Sequence, residues 1–393
     1  MLRKAATIKI CLLVLYIFNI LLPSIVFAQP DTDLQLSAKS AILVEATTGR
    51  VLFEKNSHEK LPPASITKIM TILLAMEAIK KGTVSLRDKV VISKKAWKMG
   101  GSQVFLGIGE EQSLENLLKA IAIASGNDAS VAVAEHIMGS EEAFVALMNK
   151  RAKELEMQNT HFVNSHGLHH PDHYTTAFDI ALMSKELVKH EEIFKWTTIW
   201  LDYLEHTDKE RNPTMLANTN DLIKWYKGAD GLKTGSHSEA KYCLAATAKR
   251  NSLRLIAVVL GVPTSKQRFH ETARLLDYGF ANYTSTEFIK KGEEIGKVRV
   301  EKGKLPEVIA ISEQTLNTIM KRGEESEIEK KIELKEKIEA PVKKGEILGK
   351  AYALKNGKII NEVNLIAAFE VKRATFVDII KKFLKTLLLY IRE

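Results

Sequence analysis

Pro62-Pro63-Ala64-Ser65-Ile66-Thr67-Lys68 is the stretch on which the reading of this chain turns. Two prolines set an extended entry. The apolar run after them, with Ile69, Ile72 and Leu73, predicts a buried helix over Ile66 to Ile79. Ser65 therefore stands where the chain turns into a helix. Lys68 follows at i+3, so both side chains share one face, a turn apart. A serine hydroxyl is a poor nucleophile until a base removes its proton. A lysine can be that base only when neutral, and burial or a second nearby cation lowers its pKa toward that state. The start of a helix also offers backbone N–H groups to a developing oxyanion.

Taken alone the spacing is cheap, because Ser57–Lys60 and Ser238–Lys241 repeat it. Two further motifs single out Ser65. Ser125-Gly126-Asn127 is the one Ser-x-Asn in the chain, between apolar helices expected over Ser113–Ala124 and Asp128–Met138. In a tight loop, residues i and i+2 can face the same side. Ser125 would then offer a hydroxyl to relay a proton, and Asn127 an amide to hold a substrate carbonyl. Asn127 is also well suited to an ordinary helix cap. The one Lys-Thr-Gly, Lys233-Thr234-Gly235, follows Asp230-Gly231-Leu232. On an edge strand, Lys233 and the Thr234 hydroxyl can bind a carboxylate, while Gly235 admits a substrate backbone.

The chain has 393 residues, 45% hydrophobic and 27% charged, which is globular composition with material for more than one core. Arg3, Lys4 and Lys9 precede an apolar run, Ile10 to Phe27, that ends at Ala28. This reads as a secretory leader, residues 1–28, cleaved after Ala28. An uncleaved anchor is the alternative, since the run approaches spanning length. Either way the remainder is exported. Outside the leader the single cysteine is Cys243, so no intramolecular disulfide is available. Its apolar surroundings, Tyr242 to Ala248, suit a buried inert thiol.

The formal charge is +9; loss of the leader leaves +6, of which residues 372–393 carry +4. A basic balance concentrated at one end does not describe a nucleic-acid-binding face. In that last segment Phe376, Val377, Ile380, Phe383, Leu384, Leu387, Leu388 and Ile391 share one helical face, with lysines opposite. It suits a helix lying flat on an anionic membrane. The alternative is a terminal helix docked on its own protein.

Between the ends the chain changes character once. Residues 34–283 combine a β-hairpin at Ala41–Val44 and Val51–Phe53 with Ala-rich helices. Two β-rich runs follow, Tyr242–Ala248 and Arg254–Leu260, and then a helix over Lys266–Phe280. Strands at both ends with helices between them predict an α+β domain whose antiparallel sheet joins its first and last parts. Residues 284–370 have short apolar runs and turn signals such as Asn356-Gly357, which predict a small all-β domain.

The three motifs in this order resemble the penicillin-binding and serine β-lactamase group. The closer resemblance is to low-molecular-mass D-alanyl-D-alanine carboxypeptidases of peptidase family S11. It rests on residues 63–71, 124–129, 173–177 and 230–235, and in character it extends over nearly the whole exported chain. That resemblance implies a serine-type, penicillin-sensitive carboxypeptidase acting on peptidoglycan stem peptides, with β-lactams as covalent inhibitors and no metal or organic cofactor. Ser65 would form the acyl-enzyme, Lys68 would be the general base and Ser125 would shuttle protons. Asn127 would position the substrate, while Lys233 and Thr234 would bind its carboxylate. Gly235 would admit the substrate backbone, and the N–H groups of Ser65 and Ser236 would form the oxyanion hole. Arg268 would support carboxylate binding. One departure is visible: many members carry His directly after Lys-Thr-Gly, where this chain has Ser236 and then His237.

Three rival readings remain at this level. His161, His166, His169, His170 and His173 crowd one segment and raise a metal site, although no His-Glu-x-x-His helix accompanies them. A β-lactamase would need a carboxylate to drive deacylation, and none stands out. A non-catalytic wall-binding protein would have no reason to keep all three motifs.

Overall fold

The computed structural model describes residues 34–323 and 328–376, together with 378 and 380. The expected leader, and the expected terminal helix beyond its first turn, lie outside the described residues. The chain divides after Leu36 into two compact units, and the fold described is that of the second.

The β-branched runs at both ends of the first region meet in one antiparallel sheet. Its strands are β1 (Ser40–Glu45), β2 (Val51–Lys55), β3 (Ala229–His237), β4 (Lys241–Arg250) and β5 (Leu253–Val262), in the order β2-β1-β5-β4-β3. The first strand thus pairs with the last, Ile42 opposite Val258. β1 is buried along its whole length, so it reads as a continuous apolar run and not as an alternation. β3, which carries Lys-Thr-Gly, is an edge strand.

Helices fill the space between the two sequence ends of the sheet. They are α1 (Lys68–Lys81), α2 (Leu114–Ala124), α3 (Asn127–Met138), α4 (Glu141–Glu154) and α5 (Ala177–Leu187), with α6 (Ser265–Asn282) closing the domain. Ile42 and Val258 of the sheet share one core with Ile69 and Leu73 of α1, Leu117 and Ile121 of α2 and Val133 of α3. The core is thus centred beneath the serine-bearing helix, and fully burying each such side chain stabilises by about 1.5–3 kcal/mol.

The helix starts differ from the sequence reading by one or two residues, and two of them bear on the motifs. The helix expected from Ile66 is split into a 3₁₀ turn, Ala64–Thr67, and α1 from Lys68. Ala64 has φ of +49°, a left-handed conformation that tightens the entry just before Ser65. α3 begins at Asn127, one residue earlier than expected, with Gly126 as its N-cap and no side-chain cap bond.

The second region is all-β. Strands β6 (Tyr283–Ile289) and β9 (Leu316–Lys321) form a pair. A six-stranded sheet contains β7 (Glu294–Glu301), β8 (Glu307–Ser312), β10 (Ile328–Leu334), β11 (Lys337–Glu339), β12 (Ile347–Lys355) and β13 (Lys358–Ala367). Asn356 and Gly357 both have positive φ, as a two-residue hairpin requires. Its core includes Val298, Val308, Leu348 and Leu365. Ser252 Oγ donates to Ser285 O at 2.7 Å and Arg50 to Ile319 O at 3.2 Å, joining the two regions.

Candidate active site

The 3₁₀ turn, the α2–α3 junction and β3 converge on Lys68. Its Nζ lies 3.0 Å from Ser65 Oγ, 2.6 Å from Asn127 Oδ1 and 2.6 Å from His166 O. The last two groups only accept hydrogen bonds. Asn127 is held in that orientation because its Nδ2 donates to Gly100 O at 2.6 Å. A neutral amine has two N–H bonds and one lone pair. When the amine is neutral, its two N–H bonds to Asn127 and His166 leave the lone pair for the Ser65 hydroxyl; when it is charged, a third N–H donates to Ser65 Oγ. Burial, and after it the charge of Lys233, holds the Lys68 amine well below the usual lysine range, with Asp128 opposing. Burial and the Lys233 charge thus favour the neutral amine, which the three contacts accommodate.

The Ser65 turn is positioned from outside as well. His173 Nδ1 accepts from Val163 N–H at 3.2 Å, so Nε2 carries the proton and donates to Thr67 Oγ1 at 2.8 Å. Thr67 in turn donates to Ala64 O at 2.8 Å. Burial pushes His173 down to about 3, which keeps the ring neutral in this chain of bonds. Gly167 and Gly235 pack against the same turn. A Cβ on Gly167 would lie 1.9 Å from Ala64 O, and one on Gly235 would lie 2.7 Å from Pro63 O and 3.0 Å from Ser65 N. Glycine at 235 is what lets β3 lie beside the nucleophile.

Lys233 is 1% exposed and has no carboxylate partner among the described residues; its Nζ reaches only Thr234 O at 3.3 Å. Burial, then the charge of Arg268, pushes it down to about 7. A buried cation without a counter-ion is a site prepared for an anion. Thr234 Oγ1 donates to Thr219 Oγ1 at 2.6 Å, on the same strand edge. Arg268 lies behind the strand, its Nη1 at 3.4 Å from Gly235 O and 3.3 Å from Cys243 O. It thus grips β3 and β4 from the back, and its own Nε has no partner among the described residues.

Ser125 caps α2 in a left-handed conformation, φ +66°, and is buried. Its hydroxyl has no hydrogen-bond partner among the described residues, so it is bonded to neither Lys68 nor Lys233. Ser236, near the end of β3, is exposed. Cys243 is fully buried and burial pushes its thiol up to about 11, an inert state.

The family model of the D-alanyl-D-alanine carboxypeptidases, peptidase S11, matches residues 26–264, and that of the C-terminal domain of penicillin-binding protein 5 matches residues 283–373. The chain belongs to peptidase family S11. D-alanyl-D-alanine carboxypeptidase DacF of Bacillus subtilis is 47% identical to this S11 chain over 91% of it and 92% of the relative. DacC of Escherichia coli is 37% identical over 87% and 86%. Penicillin-binding protein 5 of Haemophilus influenzae superposes with a TM-score of 0.65 at 33% identity, covering 86% of this chain and 98% of that one. Penicillin-binding protein D2 of Listeria monocytogenes, in an ampicillin-bound form, gives 0.56 at 32% identity over 63% and 99%. The α+β penicillin-binding domain followed by an all-β domain is thus the S11 architecture expected from the sequence.

Sequence reasoning passed over several groups that shape this S11 site. The carbonyls of His166 and Gly100 act as backbone acceptors, and no residue type announces a carbonyl. Thr219 reaches Thr234 from a segment without a motif. His173 was noted within 173–177, but its bond to Thr67 depends on tertiary packing.

Proposed function

We propose that this S11 enzyme, a serine-type D-Ala-D-Ala carboxypeptidase, removes the terminal D-Ala from peptidoglycan stem pentapeptides through an acyl-enzyme on Ser65. The observation that carries the reading is buried Lys68, its Nζ 3.0 Å from Ser65 Oγ and its pKa held down by burial and by Lys233. Lys68 Nζ takes that proton as Ser65 Oγ attacks the penultimate D-Ala carbonyl. The N–H groups of Ser65 and Ser236 hold the resulting oxyanion. The substrate carboxylate meets Lys233 and Thr234, supported by Arg268, and Gly235 gives the backbone room. D-Ala leaves as the amine gains a proton through Ser125, whose unpartnered hydroxyl is available once substrate fills the cleft. Water then cleaves the ester and releases the tetrapeptide. β-Lactams would be attacked by the same oxygen and remain attached.

The same proposal divides the chain into a leader at 1–28, a catalytic domain at 34–283, a stem at 284–370 and an anchor at 372–393. It places the enzyme on the outer face of the cytoplasmic membrane. Release of D-Ala from a diacyl-Lys-D-Ala-D-Ala peptide, with fluorescent penicillin labelling alongside, tests the chemistry. Ser65→Ala is expected to lose both, by about 10⁴-fold or more for release. Equal release by the two proteins sinks the mechanism, and rapid turnover of penicillin in place of stable labelling points to a β-lactamase.

A further inference from the structure

Five histidines crowd residues 161–173, and the structure separates them. His166 and His173 are buried, the first beside Glu141 at 3.5 Å and the second bonded to Thr67. His161 Nδ1 meets Asp172 O at 2.7 Å, and His170 Nδ1 accepts from Asp172 N–H at 3.1 Å. His169 alone reaches across the cleft. Its ring centroid is 5.4 Å from that of His237, at the end of β3. His237 Nδ1 lies 2.9 Å from Glu239 Oε2. One ligand atom from each of His169, His237 and Glu239 falls within 4.8 Å of the others, and the proposed chemistry uses none of the three.

We propose that His169, His237 and Glu239 form a Zn²⁺ site at the mouth of the cleft. Two imidazoles and one carboxylate are a borderline N/O donor set that suits zinc, whereas magnesium and calcium prefer oxygen alone. Zinc at about 2.0–2.2 Å from each donor in a tetrahedron places donors about 3.4 Å apart, with water in the fourth position. His237 Nδ1 and Glu239 Oε2, at 2.9 Å, need only move apart by about half an ångström. His169 and Glu239 are exposed, so rotamer changes can supply the remaining adjustment. Glu239 has no Lys or Arg ion-pair partner among the described residues; Ser238 Oγ and His237 are its side-chain partners. His237 Nδ1 also accepts from Ala240 N–H at 3.1 Å and Glu239 N–H at 3.3 Å, bonds that a cation on this nitrogen displaces.

Such an ion would join two walls of the cleft. His169 belongs to the loop whose His166 carbonyl meets Lys68 and whose Gly167 packs on Ala64. His237 continues the strand that carries Lys233, Thr234 and Gly235. Bound zinc therefore narrows the entrance beside Ser236 and slows acylation. That effect rests on the proposed function, whereas the binding does not.

Calorimetric titration of Zn²⁺ into chelator-stripped full chain tests the binding. One equivalent is expected in the wild type, with affinity at least about tenfold weaker in both His169→Gln and Glu239→Gln. Mg²⁺ is expected to give no heat. Ser65→Ala is expected to bind zinc as the wild type does, so failure of the acyl-enzyme reading leaves this measurement standing. Stoichiometric zinc is expected to slow penicillin acylation several-fold in the wild type, reversibly with chelator, and not in His169→Gln, whose zinc-free rate matches the wild type. Absence of stoichiometric binding, or undiminished affinity in both variants, overturns the site. Binding with an unchanged acylation rate overturns the effect on entry.

Discussion

Lys68 and Lys233 set the pH dependence of the proposed reaction between them. Lys68 works only without its proton, and burial followed by the Lys233 charge holds its pKa down. Lys233→Met removes a like charge, so Lys68 keeps its proton to higher pH. The acid limb of kcat/KM is therefore expected to move to higher pH in that variant. Lys233 itself, pushed down to about 7, loses its charge as pH rises through that value, and with it the attraction for a carboxylate. An alkaline limb near pH 7 is expected in the wild type, because kcat/KM reports the free enzyme. Lys233→Arg stays charged and should flatten that limb while raising KM, since a guanidinium fits the narrow strand edge less well. Acylation rates measured from acid to alkaline pH decide it, and an acid limb unmoved by Lys233→Met removes the coupling.

At the scale of elements, the decisive contact is that of β3 with the 3₁₀ turn. Gly235→Ala drives a Cβ against Pro63 O and Ser65 N, backbone atoms that cannot rotate away. An edge strand can yield by about an ångström. A small loss of thermal stability with a loss of acylation of about 10²-fold is therefore expected. Gly167→Ala meets Ala64 O at 1.9 Å and also has a φ of +88° that alanine tolerates poorly. Beyond the clash, its backbone strain alone should cost about 1–3 kcal/mol, read by denaturant unfolding. Wild-type acylation by Gly235→Ala contradicts the role given to that contact. Motif order was legible in the sequence because two motifs stand at helix starts and the third, Lys233-Thr234-Gly235, lies along an edge strand, all places where side chains can line a cleft. The decoys were not separable by spacing. Structure resolves them: Ser57 Oγ donates to Glu54 at 2.6 Å and Ser238 Oγ to Glu239 at 2.6 Å, so neither hydroxyl faces an amine. The carbonyl that orients Lys68 stayed hidden, because His166 contributes its backbone and any residue supplies that. Asn127 had two readings, cap or ligand. Gly126 takes the cap position, which frees the Asn127 amide for Lys68.

For the whole molecule, the proposed anchor at residues 372–393 would set the distance of the cleft from a surface. None of the described helices is long and apolar enough to cross a membrane. Thr375 N–H donates to Asp378 at 2.9 Å, and Phe376, Asp378 and Ile380 are helical. Phe376 is 76% exposed, while Asp378 on the same turn pairs with Lys304 of the stem at 3.4 Å. The proposed bilayer contact of residues 372–393 draws on their six basic against two acidic side chains. Each basic residue near an anionic surface contributes about 1 kcal/mol, screened by salt. The chain from Gln29 is therefore expected to co-sediment with phosphatidylglycerol vesicles at low salt, less with neutral vesicles, and less again at high salt. A chain ending at Glu370 should stay in the supernatant with its penicillin acylation intact, because the cleft lies wholly before residue 283. Sedimentation of both chains alike moves the attachment elsewhere. Retention of both in the supernatant removes the anchor and leaves the cleft without a fixed distance from its polymer.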